Sequence, residues 1–206
     1  MTEILAGYTY LYEKRDGPRM LLLLHGTGGN ERDIIPLGEE LDLHAHLASV
    51  RGNVSENGMN RYFKRISEGV FDRADLAKRS RELGAFIEAA AEKHAFELSQ
   101  TIGVGFSNGA NVLLHLICTQ PRLLKAAILL RPMSAALPDT LSPLGGLPIF
   151  IGSGEFDSMV PKGDAARLDS ALRSVGASST PRTTQSEHRL TPQDIVLARE
   201  WLATLP

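Results

Sequence analysis

The sequence predicts an α/β fold, a mostly parallel central sheet with helices on both faces. Two observations carry that reading. Short, continuous apolar runs at 19–24, 101–106 and 125–130 alternate with longer segments of helical periodicity. Glycine-rich turns stand at the ends of two of those runs, at 26–29 and 105–109.

Leu5 to Lys14 alternates loosely and is rich in Tyr and Thr, as an opening strand or hairpin arm does; Asp16-Gly17-Pro18 then turns the chain. Arg19 to Leu24 is apolar without alternation, the pattern of a strand buried on both faces. His25-Gly26-Thr27-Gly28-Gly29-Asn30 is a loop, Asp33 to Leu41 a helix with Pro36 near its first turn, and His46 to Val50 a short strand. Arg51 to Phe71 is long, dotted with glycine and irregular, and loops of that length are usually functional or disordered. Asp72 to His94 is helical, with Leu76, Leu83, Phe86, Ile87 and Ala90 on one face. Thr101 to Phe106 is the next strand, Ala110 to Thr119 a helix, and Lys125 to Leu130 another buried strand. After an aperiodic loop at 132–147 come a strand at 148–152, a helix from Ala165 to Val175 ended by Gly176, and a strand at 180–185. The final helix, 191–205, has Thr191 as its N-cap and Pro192 at its first position. There is no internal repeat, no low-complexity tract and no insertion long enough for a separate cap domain. Residues 1–206 therefore read as a single domain.

Composition excludes several classes of function. The chain is 43% hydrophobic and 22% charged with a formal net charge of -2, which argues against a polyanion-binding surface. Its one basic cluster, Arg61 to Arg65 with Tyr62 and Phe63 inside it, is too short to suggest nucleic-acid binding. The single cysteine, Cys118, can form no intramolecular disulfide and reads as a small buried hydrophobe. No basic, apolar leader opens the chain, and no run approaches the ~20 apolar residues that span a bilayer. The expectation is a cytoplasmic protein without membrane insertion; a homodimer through an exposed apolar loop is compatible with it.

Gly105-Phe106-Ser107-Asn108-Gly109 sits where a strand turns into a helix and has the form of a nucleophile elbow. The serine must stand clear of a tight turn, so the residues two before and two after it must be small. Acyl transfer by serine also needs a base, an acid to orient the base, and donors for the oxyanion, with the acid and then the histidine following the serine in this fold. Two histidines follow Ser107. His115 lies two turns along the helix that leaves the elbow, whereas His188 lies between the last strand and the last helix and is the better base. The strand at 148–152 leads to two carboxylates, Glu155 and Asp157; Asp157, past the glycine turn, is preferred, and Asp164 reads as an N-terminal helix residue. The backbone N–H groups of Thr27 and Asn108 are the expected oxyanion donors, with His25 structural within its loop.

Leu-His-Gly-Thr-Gly-Gly-Asn at 24–30, Gly-Phe-Ser-Asn-Gly-Ala at 105–110, Gly-x-x-Asp at 154–157 and Glu-His at 187–188 together resemble the small carboxylesterase/phospholipase group of serine α/β-hydrolases. That group includes acyl-protein thioesterases and bacterial relatives related to dienelactone hydrolases. The resemblance spans nearly the whole chain. It implies an α/β-hydrolase fold, a triad of Ser107, Asp157 and His188, no cofactor and no metal, and a small-molecule carboxylic ester or thioester as substrate. Ser186-Glu187 stands where such enzymes usually place a glycine before the histidine. Asn108 replaces the glutamine common in the thioesterase branch, which favours the bacterial esterases.

Met59, Tyr62 and Phe63 from the long loop, Met133, Met159 and Val160 are the expected pocket residues, and their character suits an acyl or aromatic group better than a sugar or phosphate. Arg61 and Arg65 read first as a solvated loop face and second as carriers of a substrate carboxylate. The alternatives are a thioesterase or lactone hydrolase with the same triad, and a non-catalytic binding protein on the same fold. A dinucleotide fingerprint on Gly103-x-Gly105 fails at Asn108, where glycine or alanine is required. A metal site on Asp42, His44 and His46 has no second ligand cluster to support it.

Overall fold

The computed structural model describes residues 1–67 and 69–206. The chain opens with a hairpin, β1 (Thr2–Leu5) and β2 (Tyr8–Glu13), closed by Ala6 and Gly7, both at positive φ. Next come β3 (Met20–Leu24), α1 (Ile35–Leu41) and β4 (His46–Val50), then two short hairpins, β5 (Val54–Glu56) with β6 (Met59–Arg61) and β7 (Arg65–Ser67) with β8 (Val70–Phe71). The remainder alternates: α2 (Arg73–His94), β9 (Thr101–Phe106), α3 (Asn108–Thr119), β10 (Ala126–Leu130), β11 (Pro148–Gly154), α4 (Asp164–Ser174), β12 (Ser178–Thr184) and α5 (Pro192–Ala203).

Eight strands form one sheet in the order β1-β2-β4-β3-β9-β10-β11-β12. The two pairings at the β1 edge are antiparallel and the other five are parallel. The central strands have no polar side because both faces are covered. Leu22 and Leu24 of β3 belong to one buried layer with Leu83 and Phe86 of α2, Leu113 and Leu116 of α3, and Leu168 and Leu172 of α4. Leu21 and Leu23 face the other way, onto Leu37 and Leu41 of α1 and Ala198 and Leu202 of α5. The predicted apolar face of α2 is the buried one, and Asp72 caps that helix by accepting the Asp75 N–H at 3.0 Å. Cys118 is buried in the first of these layers, and burial pushes its thiol up to about 12. Among the described residues, no helix is long and apolar enough to cross a membrane.

The stretch at 51–71 departs from expectation. Instead of an irregular loop it forms the two small hairpins, the first closed by Asn57-Gly58 with both residues at positive φ. Glu68, inside this stretch, lies outside the described residues. Between the hairpins the chain dives into the core: Tyr62 and Phe63 are 0% exposed. The Tyr62 hydroxyl donates to Val50 O at 2.5 Å and accepts the His25 N–H at 3.1 Å. Gly52 allows the approach, since a Cβ there would stand 2.4 Å from the Arg61 backbone. Tyr62 and Phe63 are therefore core anchors of the segment rather than the pocket walls expected of them.

Candidate active site

Strand β9 ends at Phe106 and α3 begins at Asn108, leaving Ser107 alone in the turn at φ 52°, ψ -112°. A non-glycine residue held there costs on the order of 1–3 kcal/mol. The surroundings enforce it. The Ser107 N–H donates to Leu130 O at 2.8 Å, and a Cβ on Gly109 would lie 2.2 Å from Leu24 O. At Gly105 a Cβ would meet the Ala110 backbone at 2.7 Å, so the smallness of both flanking positions has a direct steric cause.

Ser107 Oγ lies 2.8 Å from His188 Nε2, and His188 Nδ1 lies 2.8 Å from Asp157 Oδ2. The Asp157 side chain is 1% exposed, and its other oxygen accepts the N–H groups of Met159 and Val160 at 2.9 and 3.3 Å. That tight turn after β11 aims the carboxylate inward, whereas Glu155 is solvent-exposed. The loop bearing His188 packs directly on the end of β11: a Cβ on Gly154 would sit 2.5 Å from Ser186 O, and the Phe156 N–H donates to that same oxygen at 3.0 Å.

An ion pair absent from the sequence expectations holds this loop. Arg131, 1% exposed and at φ 59°, follows β10 and turns its guanidinium beneath residues 186–191. It donates to both carboxylate oxygens of Asp194 at 3.0 and 2.8 Å, to Ser186 Oγ at 2.8 Å and to Glu187 O at 3.3 Å. Asp194 in turn accepts from Thr184 Oγ1 and from the N–H and hydroxyl of Thr191, each at 2.8 Å. Burial raises the Asp194 pKa, but the hydrogen bonds from Arg131 and the Thr191 backbone more than offset it and the carboxyl ends below its ordinary range. Ser186 and Glu187, which precede the histidine where a glycine is usual, are thus both partners of this network, Ser186 through its hydroxyl and Glu187 through its backbone carbonyl.

The Asn108 N–H opens α3 and has no intrahelical acceptor. The Thr27 N–H has no backbone acceptor among the described residues, so both expected oxyanion donors are available. The Asn108 side chain is structural: its Oδ1 accepts the Tyr62 N–H at 2.7 Å.

A family model described as phospholipase/carboxylesterase matches residues 13–205. The chain belongs to the phospholipase/carboxylesterase family. Bacillus subtilis MhqD, named as a hydrolase, is 47% identical over 192 residues, covering 93% of this chain and 96% of that one. The Bacillus cereus carboxylesterase superimposes with a TM-score of 0.92 at 37% identity over 95% of this chain and 93% of its own. The Mesorhizobium loti carboxylesterase gives 0.92 at 28% identity, over 99% of both chains. The protein is accordingly a carboxylesterase-type hydrolase with the α/β-hydrolase fold.

Two cavities of this carboxylesterase-family protein share Thr27 as a wall. One, of about 50 Å³, holds Ser107 and His188 and is lined also by Arg61, Arg65, Met133 and Met159. The other, of about 290 Å³, is apolar, formed by Ile34, Leu37, Phe106 and Leu190 beside the 25–29 loop. Of the expected pocket residues, Met133 and Met159 thus reach the first cavity. Val160 lines a separate cavity beyond Asp157, and Met59 is 37% exposed on β6, over Gly28. The residues of the rejected metal site do not converge: His44 Nδ1 meets Asp16 at 2.9 Å, and His46 Nδ1 accepts the Arg15 N–H at 2.8 Å. Among the described residues, no group of three His, Cys, Asp or Glu could hold a metal ion.

His25 is a structural histidine. Its Nδ1 contacts Gly26 O at 2.6 Å while Nε2 accepts the Gly52 N–H at 3.0 Å, which defines a neutral ring protonated on Nδ1. Burial lowers its pKa and outweighs the opposing pull of the Gly26 carbonyl. Since the folded value lies below the unfolded one near 6.5, the unfolded chain takes the proton first. The stability His25 contributes is complete above about pH 6.5 and is lost as pH falls below it. Thermal melts from pH 8 to pH 5 are expected to show a falling Tm. His25→Gln is expected to melt lower at pH 8 and to fall less steeply; an equal slope in both proteins would remove His25 as the cause.

Proposed function

We propose that this protein hydrolyses small carboxylic esters through an acyl-enzyme on Ser107. The observation that carries the reading is the unbroken hydrogen-bonded chain from Ser107 through His188 to Asp157, set on a strained elbow. In this mechanism His188 Nε2 takes the hydroxyl proton as Ser107 Oγ attacks the ester carbonyl, while Asp157 holds the Nδ1–H tautomer and stabilises the imidazolium. The developing oxyanion accepts from the Thr27 and Asn108 N–H groups, with the positive end of α3 behind them. Collapse expels the alcohol, which leaves with the proton from His188. Water, deprotonated by the same nitrogen, then attacks the acyl carbonyl and releases the acid and free Ser107.

The cavity dimensions support short acyl groups, because about 50 Å³ beside Ser107 has room for only a few heavy atoms. Among p-nitrophenyl esters from acetate to decanoate, acetate and propionate are expected to give the highest kcat/KM. A fluorophosphonate probe is expected to add one adduct per chain, located on Ser107 by peptide mass spectrometry. A folded protein that releases no p-nitrophenol and takes up no probe would overturn the proposal; an adduct mapping elsewhere would overturn the choice of nucleophile.

A further inference from the structure

Arginine dominates the charge around the small cavity beside Ser107. Three line it, Arg61, Arg65 and Arg131, and no carboxylate does so among the described residues. Two of the three are neutralised: Arg131 by Asp194 in a two-point pair, and Arg65 by Glu56 at 2.7 Å. Arg61 has only a share of that same Glu56, whose Oε2 is 3.4 Å from its Nε. Among the described residues, one carboxylate therefore serves both of these guanidinium groups at the mouth of the site.

Arg61 is also 3% exposed. Its Nε donates to Phe63 O at 3.2 Å and its Nη1 to Thr27 Oγ1 at 2.7 Å. A guanidinium has five N–H donors, and such a group buried without full pairing is costly. Burial lowers the Arg61 pKa, as expected of a cation taken out of water, yet arginine stays charged throughout the working pH range. The Thr27 bond also fixes position. It ties the guanidinium to Thr27, the proposed oxyanion donor, which lines the same cavity as Ser107, so an anion on Arg61 would lie beside the proposed carbonyl site.

We propose that Arg61, assisted by Arg65, forms a carboxylate subsite, and that the substrates are esters bearing a carboxylate near the scissile bond, such as half-esters of short dicarboxylic acids. This rests on Ser107 being the nucleophile of the same cavity. A planar carboxylate matches the guanidinium edge and fits a space of about 50 Å³. The apolar remainder of the substrate passes to the larger cavity beyond Thr27, lined by Ile34, Leu37 and Leu190. Arg61, buried at 3% exposure, is not the solvated loop residue of its first reading from sequence.

Two measurements on the full chain separate this proposal from the esterase reading. The first needs no chemistry: thermal shift with succinate, and with succinamide as the neutral isostere. Succinate alone is expected to raise Tm saturably in wild type and in Ser107→Ala, and to lose this effect in Arg61→Gln. Equal effects of the two ligands, or none, would overturn the subsite even if the enzyme proves an active esterase. The second is the ratio of kcat/KM for monomethyl succinate over methyl succinamate, followed by pH-stat. It is expected to be about tenfold or more at low ionic strength, as a charge-assisted hydrogen bond of ordinary strength gives, and to fall as salt is added. Arg61→Gln is expected to bring the ratio towards one. If that variant does not fold, Arg65→Gln serves instead, because it removes the assisting guanidinium and releases Glu56 to pair with Arg61 alone, and should lower the same ratio. A wild-type ratio of one or less would overturn the proposal, whereas failure of both esters alongside a normal succinate shift would count against the esterase reading alone.

Discussion

Ser107→Ala is expected to lower kcat for p-nitrophenyl acetate by roughly 10⁴–10⁶-fold, with the protein still folded. The loss is that large because nucleophile and base act as a unit: without Oγ, His188 has no proton to take, and no acyl-enzyme can form. Stability should move little, since alanine keeps the same backbone strain at φ 52° and loses one hydrogen bond to a half-buried imidazole. Ser107→Gly separates the two effects. It is equally inactive, but glycine adopts positive φ without the steric penalty, so its Tm should exceed that of the alanine variant by roughly 2–4 °C per kcal/mol of strain relieved. Activity of Ser107→Ala above about a hundredth of wild type would exclude Ser107 as nucleophile. A glycine variant no more stable than the alanine one would show that the elbow is not strained.

Asp194→Ala is expected to be the most destabilising polar substitution in the chain. It strands the Arg131 guanidinium, whose side chain is 0% exposed, without its counter-ion, and removes the acceptor for Thr184 and Thr191 at the head of α5. Breaking a buried pair from one side costs about 3–5 kcal/mol, which for a protein of this size lowers Tm by about 10 °C. Catalysis should suffer too, through kcat more than KM, because the 186–191 loop that holds His188 loses its anchor. The double variant Arg131→Met/Asp194→Leu tests the explanation. Replacing both charges by apolar groups should recover much of the lost Tm, although the His188 loop stays loose. A double variant as unstable as the sum of the two single losses would show that the charge pair is not the cause.

The Ser107, Asp157 and His188 positions were legible because each sits at a strand end with a local signature: small residues two either side of the serine, a glycine turn before the acid, and a lone histidine ahead of a capped helix. The sheet was legible for a similar reason, since runs such as 20–24 have no polar side to hide. What escaped was the product of distance. Arg131 and Asp194 are 63 positions apart, and an arginine after a buried strand looks like a surface residue until its partner is seen. The hairpins within 51–71 had a local signal that went unused, Asn57-Gly58, the preferred pair for a two-residue turn. Recognising that turn would have shown the stretch to be ordered. It would not have shown Tyr62 and Phe63 to be core, because the cleft they fill is made by β4, α2 and the 25–29 loop.

The double duty of Asp194 links the last helix to the histidine loop. The same carboxylate starts the last helix and clamps the arginine under the histidine loop. The shape of that loop is therefore coupled to the docking of α5 on the sheet beside α1. Any change that frees α5 from the sheet should therefore break the Ser107–His188 contact while leaving the elbow itself in place.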